Sequence, residues 1–325
     1  MEKKIRIAIL GYGNLGRGAE KAVKQSSDME LVGVFTRRDP KTISCSVPVY
    51  QESDLLKMTD KIDVLLLCGG SATDLPEQSP TWAKHFHIVD SFDNHSNIPA
   101  HFDACDKSAK ETNHIALIST GWDPGLFSMM RVLGEAVLPQ GQGYTFWGKG
   151  VSQGHSDAIR RVAGVLDARQ YTIPIDSALE RVRAGENPTL SVGEKHKRVC
   201  YVVAEPGADQ ARIENEIKTM PGYFADYDTT VHFVTEEELL RDHSGIPHGG
   251  FVIHTATTGV ENRQKMEFSL ALDSNPEFTS SVLVACARAV CRLAEKKDFG
   301  AKTILDIPPA YLSAKPAEQL RKEML

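Results

Sequence analysis

The segment IRIAILGYGNLGRG, residues 5–18, constrains this chain more than any other. A largely apolar run, Ile5 to Leu10, breaks into GYGNLG and then into helix-forming residues. Glycines spaced G-x-G-x-x-G carry little information alone, but between a strand and a helix they predict a dinucleotide-binding turn. Gly11 permits the tight turn, Gly13 lets the backbone approach a pyrophosphate, and Gly16 lets the helix pack closely on the strand. Tyr12, Asn14 and Leu15 complete the loop, and the helix N-terminus presents free N–H groups to phosphate.

The second clue lies about twenty residues on, at the end of the next strand. An NAD-binding unit usually places a carboxylate there for the ribose hydroxyls, whereas VFTRRDP offers Thr36, Arg37 and Arg38. A carboxylate would repel a 2′-phosphate. Guanidinium groups attract one, at about 1.5–3 kcal/mol per charge-assisted hydrogen bond. The expected cofactor is therefore NADP, held by one or both arginines.

Residues 61–68 and 115–120 read as further buried strands. Helical patterns fall at 16–26, 53–58, 76–85 and 98–112. Such alternation implies a parallel sheet covered on both faces. Ligands of such sheets gather at the strands' carboxyl ends. Further cofactor contacts are thus expected from Cys68, Gly69, Gly70, Ser71, Ala72 and Thr73, from Ser91, Phe92 and Asp93, and from Thr120, Gly121, Trp122, Asp123 and Pro124.

Beyond residue 122 the pattern shifts to period two. Met266, Phe268, Leu270 and Leu272 share one face, as do Val199, Tyr201 and Val203, and residues 229–234 and 251–257 are further strand candidates. A mainly antiparallel sheet follows, with helices predicted at 156–168 and 208–219. A last helix places Val282, Cys286, Ala289, Val290 and Leu293 on one side and is expected to return to the first domain. The fold class is α/β, a Rossmann-type dinucleotide-binding domain (1–121 with 277–325) plus an α+β substrate and dimerisation domain (122–276).

With 325 residues, 41% hydrophobic and 25% charged, the chain is long enough for two cores. A net charge of −6 gives no reason to expect nucleic acid or an anionic membrane as partner. No apolar run approaches membrane length, and the first is too short for a signal peptide. Six cysteines without a CxxC pair point to reduced thiols and a cytoplasmic setting. His85 and His87 have no companions at ligand spacing, so no metal is expected.

Nine segments in order, GYGNLGRG, FTRR, GSATDLPEQ, DSFDNH, STGWDPG, TFWGKGVSQGHSDAIRR, HKR, GIPHGG and SNPEFT, span nearly the whole chain. In this combination the sequence resembles the meso-diaminopimelate dehydrogenases. The resemblance implies NADP-dependent oxidative deamination of the D-centre of meso-2,6-diaminopimelate, giving L-2-amino-6-oxopimelate and ammonia. The reverse reaction serves lysine and cell-wall synthesis. It also implies a homodimer.

The residues suit a seven-carbon diacid with two amino groups. Asp93 and Asp123, just past two strand ends, are placed to hold the reacting amine and orient its Cα–H. Either is a candidate to accept the amine proton. Amide donors at Trp122, Asp123 or Gly154 would take the near carboxylate. Arg198, Thr172 and His248 suit the distal carboxylate, with Arg198 its bidentate partner. Asn275 suits the distal carboxylate or amine, and Trp147 a wall beside the substrate. The resemblance puts Gln153 and Asp157 near the D-centre. Two other readings fit the early glycines: an NADP-linked reductase of the dihydrodipicolinate-reductase or homoserine-dehydrogenase type, and a non-catalytic NADP(H) sensor.

Overall fold

The structure, a computed structural model, describes residues 4–325. It divides into two compact units, residues 1–129 with 276–325, and residues 130–275.

The first unit opens as the sequence predicts. Strand β1 (Ile5–Leu10) leads through the glycine loop into α1 (Asn14–Lys24), then β2 (Met29–Thr36) and the short β3 (Val49–Gln51). The helical stretch expected at 53–58 is a 3-10 turn, Glu52–Lys57. Then come β4 (Val64–Leu67), α2 (Leu75–Trp82), β5 (His87–Asp90), α3 (Ile98–Glu111) and β6 (Ile115–Leu117). The VLLL of β4 is apolar at every position because both sheet faces are covered. Helix α4 (Leu126–Val137) carries the chain from one unit into the other.

The second unit holds β7 (Gln142–Trp147), β8 (Gly150–Val151), α5 (Gln153–Arg160), β9 (Val165–Pro174), α6 (Asp176–Arg183) and α7 (Val192–Lys195). These are followed by β10 (His196–Ala204), α8 (Gln210–Lys218), β11 (Asp228–Phe233), α9 (Glu236–His243), β12 (His248–Thr258) and β13 (Asn262–Leu272). Two sheets form, ordered β11-β10-β9-β8 and β13-β12-β7. All their pairings are antiparallel except β10 with β11.

The helix expected over 156–168 is corrected here. It starts at Gln153, capped by the Ser152 hydroxyl, and stops at Arg160. Gly164, at φ +83°, turns the chain into β9 instead.

The chain then returns to the first unit through α10 (Asn275–Glu295), β14 (Gly300–Lys302) and the terminal α11 (Ala317–Met324). The completed parallel sheet has the order β14-β6-β5-β4-β1-β2-β3. Helices α1 and α10 cover one face, where Ala19, Val23, Leu283, Cys286 and Val290 meet Ile7, Ile9, Val64 and Leu66. Helices α2 and α3 cover the other, where Leu75, Trp82, Cys105 and Ala109 meet Leu10, Leu65, Leu67 and Ile88. Each of the valine, leucine and isoleucine side chains among these, fully buried, contributes roughly 1.5–3 kcal/mol. In-register pairing sets Leu10 beside Phe35 and Leu67, and Leu67 beside Asp90. The carboxyl ends of β1, β2, β4 and β5 therefore share one edge. Strand order reverses between β1 and β4, the switch point where such sheets bind ligands.

Candidate active site

Three glycines shape the first loop differently. Gly11 sits at φ +93°, and a Cβ there would lie 3.1 Å from the Cys68 carbonyl. A Cβ on Gly16 would lie 2.2 Å from the Gly11 carbonyl oxygen, so α1 approaches only because that position is bare. A Cβ on Gly13 would meet nothing within 4 Å among the described residues. That open side is the approach a pyrophosphate needs. Behind the loop, the Tyr12 hydroxyl donates to the buried Glu20. Burial works against the Glu20 charge, but Lys24, Ser46 and Tyr12 together bring its carboxyl down to about 2.

A cavity of about 330 Å³ opens over this edge, lined by Gly11, Tyr12, Gly13, Thr36, Arg37, Arg38, Cys68, Gly69 and Gly70. Sequence reasoning missed four more lining residues, Leu10, Glu52, Asp74 and Gln78. The two arginines differ in their surroundings. Arg38 donates to the Tyr12 carbonyl at 2.7 Å, and its backbone N–H reaches the Thr36 hydroxyl at 3.1 Å. Arg37 pairs with Asp74 at 2.6 Å and stands 4.0 Å from Glu52. Asp74 also accepts the Gly70 N–H at 2.7 Å. Partial burial opposes its ionisation, but Gly70 and Arg37 hold it below the usual carboxylate range. The bare Gly13 and the cationic, hydroxyl-bearing end of β2 fit a dinucleotide with a 2′-phosphate. Burial pushes the Cys68 thiol up to about 12, so it lines the cavity as a neutral group.

Within the loop, Asn14 accepts from Arg17 and the Leu15 carbonyl accepts from Ser280 on α10. The Ser71 hydroxyl accepts the Asp93 N–H at 2.9 Å, tying the loop after β4 to the loop after β5. Ala72 and Thr73 lie in the turn between, where Thr73 N–H reaches the Gly70 carbonyl.

Asp90, which the sequence reading passed over, organises the next two loops. It is fully buried and uses both oxygens twice. One accepts Phe92 N–H at 3.0 Å and Ser119 N–H at 2.8 Å. The other accepts the Ser79 hydroxyl at 2.6 Å and lies 2.8 Å from His101 Nε2. The Thr120 hydroxyl closes on the Asp90 carbonyl. His101 stacks on Phe92, with ring centroids 4.1 Å apart. A single carboxylate thus fixes Ser91, Phe92 and exposed Asp93 on one side. On the other it fixes the start of the segment carrying Gly121, Trp122, Asp123 and Pro124. Trp122 is buried edge-on against Phe127, and Asp123 is half-buried.

In the second unit, β9 and β10 pair so that Thr172 stands opposite Arg198. Arg198 is 7% exposed; it donates to the Thr172 hydroxyl and its guanidinium lies 4.0 Å over the Tyr227 ring. Burial lowers the Arg198 pKa, an effect Tyr227 opposes. Gly150 pairs with Thr172, and a Cβ on it would lie 2.4 Å from the His248 ring, so His248 flanks the strand position opposite Thr172. Trp147 stacks on His196 at 5.3 Å and donates its backbone N–H to His196 Nε2 at 2.8 Å. Burial, then Arg198 and Lys195, push His196 down to about 3.

Gln153 and Gly154 lie exposed in the first turn of α5. Asp157, on the same helix, is exposed and paired with Arg160. Asn275 begins α10, its backbone N–H held by the Ile246 carbonyl. Among the described residues, no group of histidines, cysteines and carboxylates is arranged to hold a metal ion. Among the same residues no helix is long and apolar enough to cross a membrane.

A strand–glycine loop–helix over a parallel sheet, with arginines at the end of β2, defines a Rossmann-type, NADP-linked oxidoreductase with a second, mainly antiparallel unit. Comparison with known proteins narrows the class. The family model for the diaminopimelic acid dehydrogenase C-terminal domain matches residues 121–274. A meso-diaminopimelate D-dehydrogenase from Ureibacillus thermosphaericus is 62% identical over 324 residues, 99% of each chain. A multiply substituted meso-diaminopimelate dehydrogenase from Clostridium tetani, solved with diaminopimelate, is 57% identical at a TM-score of 0.95, covering 99% of this chain and 100% of that one. An engineered D-amino acid dehydrogenase bound to NADP+ is 45% identical at a TM-score of 0.89, with the same coverage. This chain belongs to the meso-diaminopimelate D-dehydrogenase family.

Proposed function

We propose that the chain carries out the reaction of its family, NADP-dependent oxidative deamination at the D-centre of meso-2,6-diaminopimelate, with the residues above dividing the work. The observation that carries the residue assignment is Arg198. It is a buried guanidinium held by a hydroxyl and an aromatic face, with no carboxylate among its partners in the described residues. A buried cation without a counter-charge is costly, and an anionic ligand group removes the cost. Arg198, Thr172 and His248 therefore take the distal carboxylate, with Asn275 assigned to that end and Trp147 forming a wall.

At the reacting end, Asp93 and Asp123 hold the amine, and Trp122, Gln153, Gly154 and Asp157 complete the contacts. Bound NADP supplies the hydride acceptor. The chain's own residues must orient Cα–H and leave the amine neutral, because only a free lone pair can expel hydride. Asp93 or Asp123 takes the amine proton, directly or through water. Water then adds to the substrate's iminium carbon, and ammonia leaves. Deamination should accelerate toward alkaline pH.

A homodimer in the cytoplasm is part of this reading. The β13 face bearing Met266, Phe268 and Leu270 at alternate, half-buried positions supports it, and mass photometry tests the dimer. For the reaction, NADP reduction is followed with the meso, LL and DD isomers. The meso form should be strongly preferred. Comparable turnover of LL and meso forms would refute the two-ended assignment, and cofactor binding without turnover would favour a sensor.

A further inference from the structure

Gln170 lies in the middle of β9, fully buried, and neither its carboxamide oxygen nor its nitrogen has a hydrogen-bond partner among the described residues. Buried amides are rarely left so, and each case asks for a reason. Strand register supplies the setting. Gln170 stands opposite Cys200 and Thr172 opposite Arg198, so all four side chains share one face of the β9–β10 pair. Helix α5 covers that face, with the Ser156 hydroxyl accepting the Gln170 backbone N–H at 3.0 Å. Arg198 is itself incompletely held. Its Nη1 goes to Thr172 and its face to Tyr227, while Nε is buried with no hydrogen-bond partner among the described residues. One strand row thus contains an orphan donor on Arg198 and an orphan acceptor on its diagonal neighbour.

We propose that Gln170 is a positioning residue for substrate specificity: its carboxamide oxygen receives the Arg198 Nε–H, directly or through one water, when the distal carboxylate seats. This rests on the reading of Arg198 as the distal clamp. A guanidinium fixed at Nε, at Nη1 and on its ring face has one orientation left for its remaining N–H groups, and a planar fork is useful only when so oriented. Gln170 touches no reacting atom and acts through Arg198.

A merely structural role predicts something different. Replacing a buried orphan amide by an apolar group of similar shape is neutral or stabilising, so Gln170→Leu should hold or raise the melting temperature. On the proposal, the same variant loses substrate discrimination. The readout is the ratio of kcat/KM for meso-diaminopimelate to that for D-2-aminoheptanoate, which ends in a methyl group where the diacid has its distal carboxylate. Gln170→Leu should lower this ratio about tenfold, the scale of one hydrogen bond to a charged group, chiefly through KM for the diacid. In an Arg198→Met background the same change should add less than about twofold, the non-additivity expected of residues acting as a unit.

The proposal is overturned if Gln170→Leu leaves the ratio intact while Arg198→Met collapses it, or if the effect of Gln170→Leu persists in full beside Arg198→Met. If Arg198→Met itself leaves the ratio unchanged, the clamp reading fails, and this inference with it.

Discussion

Arg38→Ala and Arg37→Ala should change cofactor choice by unequal amounts, and the inequality follows from what each guanidinium already touches. Arg38 is anchored to the Tyr12 carbonyl beside the Thr36 hydroxyl, with no acid paired to its head group among the described residues. Its charge is available to a 2′-phosphate at little rearrangement. One charge-assisted hydrogen bond contributes about 2 kcal/mol, or about thirtyfold in preference for NADP over NAD. Arg37 is two-thirds exposed and already bound to Asp74, with Glu52 nearby. A phosphate must compete with those carboxylates, and exposed charges are further screened. About 1 kcal/mol, or about fivefold, is left for Arg37. The assay is kcat/KM for NADP and for NAD with saturating meso-diaminopimelate, in wild type and both variants at one ionic strength. The reasoning is refuted if Arg37→Ala costs as much discrimination as Arg38→Ala, or if Arg38→Ala changes the ratio less than threefold.

Gly16→Ala should cost roughly 1–3 kcal/mol in urea unfolding, since its Cβ would meet the Gly11 carbonyl at 2.2 Å. Gly13→Ala should leave stability nearly unchanged yet weaken NADPH binding, measured by fluorescence titration; a stability loss equal to that of Gly16→Ala would contradict the open approach at Gly13. Asp90→Ala would strand four donors and should lower stability by about 3–5 kcal/mol, against which a loss under about 1 kcal/mol in the urea unfolding free energy would count. His196, held near 3, stays neutral in the fold while the unfolded chain protonates near 6.5. The unfolded state therefore binds more protons between those values, and stability should fall as pH drops through that window, by up to about 1.4 kcal/mol per unit from this group. His196→Gln should flatten that acid limb in urea melts at successive pH values, and an unchanged limb would remove His196 as its source.

Residues 5–18 disclosed the nucleotide fold because its signal is local: an apolar strand, fixed glycine spacing and a helix. Segments whose character depends on distant partners were harder to read. Ala158, Ile159 and Val162 begin a helical pattern that the spacing of Val165 and Ala168 extends in the sequence, but Gly164 ends it and Ala168, Gln170 and Thr172 become one face of a strand. Two polar residues on a buried face hide the period-two pattern that would have marked β9. Strands of three residues, such as β3 and β14, carry too little pattern to detect and form because a neighbour offers an edge. At the site, the charged residues that meet ligand were visible as types. Asp90 was not, since an aspartate closing an apolar strand acquires meaning only when Ser79, His101 and two loop amides arrive from elsewhere.

The first unit is written in two instalments. Val282, Leu283, Cys286, Val290 and Leu293 complete the face that Ile7, Ile9, Val64 and Leu66 present, and they are translated only after the whole second unit. During synthesis the nascent sheet must wait, one apolar side uncovered, while roughly 150 residues pass through the ribosome. The inserted unit has all its strand partners to hand first and is placed to settle before the nucleotide fold can close. A premature stop after residue 275 would accordingly yield a well-formed insert joined to a sticky, unfinished sheet, a species destined for degradation or aggregation.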